Sequence, residues 1–515
     1  MAASLETTPQ VTLTNAFTNP FSNVVAAART CYSSKGIIED DQINLEEGNR
    51  DRAIAESIYK AGHHTTYQHA HFQFTLSNIS RHFVWSFLHS HPFYNSEQVS
   101  QRYVHLSKDS FYLPPLTGAG KELYQRTIEM QMEAYTSLRE SLVGSAEAEY
   151  YRIFPARARR RDVYRKEILR KTQEVARYVV PVAALTYLYH TISGVTLLRY
   201  WRMCRQGDVP HEQRQVVERM IQAVLAHDPA YGIILEDPLA PEDTTEFAWL
   251  AQSSDPGPGF REEFDGTLKG HVSKLIDYMA KGEAILAAAV REVLGQTGSE
   301  MSDDEAIALA LDPGKNPLHG EILNLTTQAK LTRALYHPSY TFRKRLSHAA
   351  DSQDQRHRMT PASRPILATQ ITDDPDYVTP DLVRSHEPSL KIYRDTMSRT
   401  WEAILDLRRM GVDDEFTNYL LPNAVTIRFT ESTDLINLHH KHRMRLCYNA
   451  QEEIWRASLD EAEQVREVHP RLGSYLLPPC RLRKMAGARP ICPEGERYCG
   501  VPVWKLDISD YKRLL

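Results

Sequence analysis

Two tandem, diverged halves of mixed α/β character are what this sequence predicts, and three observations predict them. At 515 residues the chain is too long for one ordinary core and suits two or three domains. Short alternating apolar runs stand beside longer stretches with helical spacing. A series of five features in the first half returns, in the same order, in the second.

Each half opens on a His-containing segment leading into a short alternating run, His69–Leu76 and then His319–Leu325. A hydroxyl–arginine pair follows, Ser80-Arg81 or Thr332-Arg333, placed to open a helix. Next comes a polar patch, Ser100-Gln101-Arg102 or Asp354-Gln355-Arg356, then an amphipathic stretch, Lys121–Leu142 or Ser389–Arg409. A Pro-centred apolar run around Pro181 or Pro422 leads into a basic helix. Between the halves, Glu236–Pro258 is polar and rich in Pro and Asp, so it reads as a linker. Phe260–Leu294 carries Val272, Leu275, Ile276, Met279, Ile285 and Leu286 at roughly helical spacing and predicts a helix. The expected organisation is a first domain over 8–236, a linking helical segment over 237–299 and a second domain over 300–515.

Hydrophobic content of 42% and charged content of 25% are those of a globular chain, and a formal net charge of -5 gives no global attraction to nucleic acid or anionic membrane. Any anion site must therefore be local. The first residues lack the basic and apolar regions of a secretory signal, and the most apolar stretch, Val179–Leu198, is interrupted by Pro181, His190 and hydroxyls, as buried core is. Six cysteines in so long a chain are not a disulfide framework and fit a reducing cytoplasm.

Four clusters could carry chemistry. Ser100 and Arg102, two apart, share one face of an extended chain, where an Arg fork beside a hydroxyl suits a phosphate oxygen; the alternative is a surface ion pair. Arg343–Arg358 is a run of cations broken by Ser, Asp and Gln, either a solvated face or an anion site. His439, His440 and His442 precede Arg443 and Arg445. With Cys447 they invite a zinc reading, but a His-rich face beside arginines reads more readily as polar or anion-facing surface. Cys480, Cys492 and Cys499 lack a tight Cys-x-x-Cys pair and read as reduced structural cysteines, with zinc as the weaker alternative. Glycine loops for nucleotides, the zinc-protease motif and the nucleophile elbow are all absent, so a nucleotide site must rest on arginines, hydroxyls and helix ends.

At these residues the chain resembles the flavin-dependent thymidylate synthases. Ala27-Ala28-Arg29-Thr30-Cys31-Tyr32 matches the family's opening pattern, and Gly62-His63-His64-Thr65 with His69 its Gly-His segment. The family signature, Arg-His-Arg, seven residues, then Ser, is answered in the first half by His89-Ser90-His91, eight residues before Ser100, with Ser100-Gln101-Arg102-Tyr103 intact. Ala176-Arg177 through Pro181 resembles its Ala-Arg-x-x-Leu-Pro. In the second half Arg343-Lys344-Arg345 resembles the triplet, eight residues before Asp354, and Leu421–Ile454 follows the C-terminal pattern. Arg445 falls there on the substrate-phosphate arginine, and Asn418 replaces the counterpart of Arg177.

The resemblance implies an α/β (α+β) fold, two tandem domains each with a mainly antiparallel sheet flanked by helices. It implies FAD as cofactor, with NADPH and methylenetetrahydrofolate as co-substrates for reductive methylation of dUMP. Ser100, Arg102, Arg177 and Arg445 are the implied substrate contacts; Arg343, Lys344, Arg345, His63, Thr65, His89 and His91 are the implied cofactor contacts. Family sites are assembled from neighbouring subunits of a tetramer. The complementary losses in the two halves therefore imply one composite site, in a homodimer that rebuilds the tetramer without nucleic acid or membrane.

Overall fold

The computed structural model describes residues 8–88, 91–102, 110–206, 210–251 and 259–515. It holds two four-stranded antiparallel sheets. In the first, β1 (Gln10–Ala16), β2 (His71–Ser80), β3 (Tyr94–Gln98) and β4 (Leu185–Ser193) lie in the order β1-β2-β4-β3. In the second, β5 (Ser273–Tyr278), β6 (Ser339–Ser347), β7 (Ala362–Ser363) and β8 (Thr426–Asp434) take the same order, β5-β6-β8-β7. Identical strand order with helices around each sheet bears out the expected fold class.

The central strands form because their apolar residues alternate. Phe72, Phe74 and Leu76 of β2 point into one core, and Tyr340 and Phe342 of β6 into another. Helices close over these faces: α1 (Arg81–Leu88), α2 (Gly118–Ser141), α3 (His211–His227), α4 (His348–Asp354), α5 (Glu387–Arg409), α6 (Leu435–Arg445) and α7 (Glu452–Val468) are those that bear on the site. Helices α2 and α5 cover the two amphipathic stretches read from the sequence. Among the described residues no helix is long and apolar enough to cross a membrane.

By compactness the chain divides into two units that interleave along the sequence. The first comprises Met1–Ile128, Pro181–Asp255 and Ala403–Leu421; the second comprises Glu129–Val180, Pro256–Glu402 and Pro422–Leu515. In the first unit Val182 N–H donates to Leu421 O at 2.8 Å and Ala183 N–H to Tyr419 O at 3.0 Å. In the second, Asn423 N–H donates to Val180 O at 2.8 Å and Ala424 N–H to Tyr178 O at 2.9 Å. The Pro-centred runs of the two copies thus make the same paired bonds in each unit.

Both units repeat one buried arrangement. Ser80, at the end of β2, caps α1 by accepting from Phe83 N–H at 2.9 Å, while its own N–H and Oγ donate to Glu212 of α3 at 2.6 and 2.5 Å. Ser347, at the end of β6, caps α4 by accepting from Ala350 N–H at 3.1 Å, while its N–H and Oγ both donate to Glu453 of α7 at 2.6 Å. A tyrosine completes each set: Tyr419 donates to Glu212 at 3.3 Å, and Tyr178 to Glu453.

Three sequence expectations are corrected. Phe260–Leu294 is not one helix but Gly259–Leu268, β5 and Gly282–Leu294; Lys269 and Gly270, at φ of 49° and 85°, break the first helix and turn the chain into the strand. His319–Leu325 is not the counterpart of β2, because His319 is buried in a 3-10 turn with Nε2 against Ala310 O at 2.7 Å; β6 is the counterpart. Thr332-Arg333 opens only a 3-10 turn, and Ser347-His348 stands where Ser80-Arg81 does.

Each tyrosine shields a carboxylate that water does not reach, so Tyr178→Phe and Tyr419→Phe should each lower stability by about 1–3 kcal/mol in urea denaturation at neutral pH. An unchanged midpoint for either variant would show that its carboxylate does not depend on the hydroxyl.

Candidate active site

Counting from the capping serines aligns the two copies. Nine positions after Ser80 stands His89-Ser90-His91; nine positions after Ser347 stands Arg356-His357-Arg358. The triplet of the second half is therefore Arg356–Arg358, the one Arg-His-Arg in the sequence, and not Arg343–Arg345. The earlier assignment fails because Arg343, Lys344 and Arg345 lie within β6, at the positions that Thr75, Leu76 and Ser77 hold in β2. The signal was present as a literal tripeptide, but the basic strand upstream imitated it.

Lys344 illustrates the difference. Strand alternation turns it inward, where its ammonium meets Glu431 at 2.6 Å, Glu461 at 2.8 Å and Asp354 at 3.0 Å, all fully buried. Lys441 of α6 joins the same carboxylates, with Glu431 at 2.6 Å and Asp354 at 2.8 Å, and His442 pairs with Glu461 at 3.0 Å. Burial opposes the charge of Lys344, but the three carboxylates outweigh it and hold the amine well above the ordinary lysine range. Lys344 is thus a core residue, not a cofactor contact. Asp354 has its charge matched by the two lysines. His439 and His442, read as surface, are buried as well.

Arg445 ends α6 on the outer side of this cluster. Its Nε donates to His357 Nε2 and its Nη2 to Gln353 O, both at 2.8 Å, so the guanidinium is fixed from two sides. Burial, with the cations of Arg445 and Lys441 alongside, holds the His357 imidazole well below its ordinary range, and the ring is neutral. His440 stands 6.2 Å from it, and Arg356 on the same stretch is exposed. A fixed arginine, a neutral imidazole and an exposed arginine suit a phosphate-bearing ligand.

On β6, Arg343 and Arg345 share the face opposite Lys344. Arg343 lies over the Phe264 ring at 5.7 Å, and its buried Nε has no acceptor. Arg345 pairs with Asp265 and Asp376 at 3.4 Å and lines a cavity of about 650 Å³ with Tyr178, Glu452, Glu453, Arg456 and Arg513. That volume is ordinary for a small-molecule site. Burial pushes Glu452 up to about 7 against the pull of Arg456, which leaves a carboxyl able to exchange a proton near neutrality.

Arg177 is buried in the second unit, its carbonyl accepting from Asn423 Nδ2 at 3.0 Å. Although it comes from the first half of the sequence, it belongs by compactness with Arg445. In the first unit, Ser100 Oγ accepts from Arg102 N–H at 3.3 Å, and Arg81 braces the preceding strand through Gln98 at 2.8 Å and Val99 O at 2.6 Å. His63 and Thr65 are exposed beside Gly62, whose φ of 77° makes the turn. His91 is held by Tyr200 at 2.8 Å. His89 lies outside the described residues.

The sequence profile of the thymidylate synthase complementing protein family matches residues 12–230 and again 274–471. The chain is similar to the flavin-dependent thymidylate synthase of Saccharolobus solfataricus, 28% identical over 215 residues, covering 40% of this chain and 77% of that protein. The enzyme of that name from Sulfolobus acidocaldarius is 29% identical over 217 residues, with 40% and 77% covered. The one from Clostridium tetani is 27% identical over 209 residues, with 40% and 78% covered.

Glu452 generates a pH test. Its folded value of about 7 lies above its ordinary 4.5, so the protonated carboxyl stabilises the fold at low pH and that contribution is lost as pH rises through 7. Glu452→Gln should therefore remove up to about 3 kcal/mol of the stability difference between pH 5 and pH 8 in urea titrations. Parallel profiles for the two proteins would place the group's titration outside that window.

Proposed function

Because the chain belongs to the thymidylate synthase complementing protein family, that of the flavin-dependent thymidylate synthases, and carries two fused copies of its domain, we propose that it is itself a flavin-dependent thymidylate synthase. The proposed reaction is reductive methylation of dUMP at C5, with carbon from methylenetetrahydrofolate and electrons from NADPH. The observation that carries this reading is the Arg445–His357 hydrogen bond. It joins the arginine of the C-terminal pattern to the one complete Arg-His-Arg triplet in the chain.

Arg445, with its fork fixed, is the proposed clamp on the nucleotide phosphate, assisted by Arg356 and Arg358. Ser100, Arg102 and Arg177 remain proposed substrate contacts: the hydroxyl of Ser100 toward the pyrimidine edge, the arginines toward phosphate and ring oxygens. A neutral His357 orients Arg445 without adding charge of its own.

For the cofactor, the donor set fits. Arg343 holds a buried Nε with no acceptor, Arg345 lines a cavity of nucleotide size, and both cations suit the phosphates of FAD. When bound, FAD supplies the hydride. His63, Thr65, His89 and His91 are proposed on the flavin side of the first copy. The same reading has the chain working in the cytoplasm as a homodimer.

A second reading, a flavin enzyme acting at C5 of another pyrimidine nucleotide, draws on Asn418 in place of arginine and on His-Ser-His in place of the first triplet. The test is the visible spectrum of the purified protein, followed by dUMP-dependent NADPH oxidation with methylenetetrahydrofolate. Bound flavin and turnover are expected. Arg445→Ala should cut kcat/KM for dUMP by roughly 10- to 150-fold, the equivalent of about 1.5–3 kcal/mol for a hydrogen bond to a charged group. Flavin with turnover on UMP or dCMP alone would favour the second reading. A colourless protein that FAD does not reconstitute would mean a non-catalytic descendant.

A further inference from the structure

The six cysteines are all free thiols, and four of them, separated by long stretches of sequence, converge. Cys447 follows α6, Cys480 lies in the helix Pro479–Met485, and Cys492 and Cys499 flank the 3-10 turn Gly495–Arg497. All four line one cavity of about 10 Å³ in the second unit, closed elsewhere by residues such as Pro479 and Val503.

We propose that Cys447, Cys480, Cys492 and Cys499 form a four-thiolate site for a single zinc ion that staples the C-terminal segment to the second unit. Three observations favour this over an ordinary sulfur-lined core. The cavity has room for one atom-sized guest, and its sulfur-rich lining offers a water few partners. Four thiolates around one divalent cation leave a net charge of −2, and two cations stand beside the cavity: Arg157 donates to Tyr498 O at 3.0 Å and Arg513 to Tyr448 O at 2.8 Å, both tyrosines lining it. The segment to be held, from Met485 to Leu515, has only short 3-10 turns of its own and no strand.

Among the described residues no group of three or more His, Cys, Asp or Glu already stands arranged to hold a metal. The ion therefore draws the four side chains inward as it binds. Four thiols release four protons to solvent, four Zn–S bonds form, and nothing is oxidised or reduced. The family profile ends at residue 471, so three of the four ligands lie beyond the matched domain.

The experiment is elemental analysis of the full chain purified without chelator, with zinc release followed by a chromogenic chelator as a mercurial titrates the thiols. About one zinc per chain is expected, released as the four thiols react. Cys492→Ser and Cys499→Ser should each lower bound zinc by roughly tenfold or more. Should these variants fold poorly, cobalt exchanged into the unaltered protein should give the thiolate charge-transfer and ligand-field bands of a tetrahedral sulfur site. Metal-free protein with four freely titrating thiols would overturn the proposal. So would a mass showing disulfides among these cysteines, or bound iron with sulfide.

Discussion

The carboxylates of Glu212 and Glu453 each gather, in the dry interior of a unit, the N–H and hydroxyl of a serine and the hydroxyl of a tyrosine. Burial drives both carboxyls above their ordinary range, Glu212 to about 7, so without these donors each would be a costly orphan. The serine does double duty, since the hydroxyl that donates to the carboxylate also accepts from the N-terminus of the helix it caps. In the second copy that helix ends at Asp354, just before the Arg356–Arg358 triplet. The direction in which the site segment leaves the sheet is thus set by a bond made nine residues earlier.

The two cores around this shared device have diverged in kind. Where the second unit buries Lys344, Asp354, Glu431 and Lys441, the first holds Leu76, Phe87, His190 and Tyr200 at the matching positions. Phe87 packs on Tyr200 with ring centroids 4.5 Å apart, and His190 meets the Tyr200 hydroxyl at 3.2 Å. Replacing a buried ionic set by packed rings is energetically tolerable, because paired charges in a core scarcely exceed their desolvation cost. The ionic set persists in the copy that also keeps the arginines. Lys441 stands one turn before Arg445, and Asp354 three residues before His357, so the cluster underlies both partners of the Arg445–His357 hydrogen bond. The first copy has Cys204 at the position of Arg445 and His-Ser-His at that of the triplet, and the support has gone with the residues it served.

Much of this was legible along the chain, for reasons that differ by element. The two long amphipathic helices and the Pro-centred runs carry their own periodicity, and the repeat order exposed the duplication. Strand β5 was hidden because Val272, Leu275, Ile276 and Met279 follow helical spacing and do not alternate, and only pairing with β6 makes the segment a strand. The burial of Lys344 could not be read locally, since the carboxylates that hold it are at Asp354, Glu431 and Glu461. Arg445 stood out by pattern, but its hydrogen-bond partner His357 was missed because a basic strand imitated the triplet. The four thiols were invisible as a set for a similar reason: Cys447 belongs to a different stretch from the three near the C-terminus.

The interleaving of the units bears on how the chain is made. The first unit counts Ala403–Leu421 among its segments, and the bonds at Leu421 and Tyr419 are part of it. As synthesis proceeds from the N-terminus, that unit stays unfinished until more than four-fifths of the chain has been translated, with Glu212 awaiting its tyrosine throughout. Closing contacts across two hundred residues is slow relative to local folding and leaves apolar strands exposed meanwhile. A nascent chain cut between the copies lacks Ala403–Leu421, and with it the tyrosine that Glu212 holds, so its first unit is an incomplete fold.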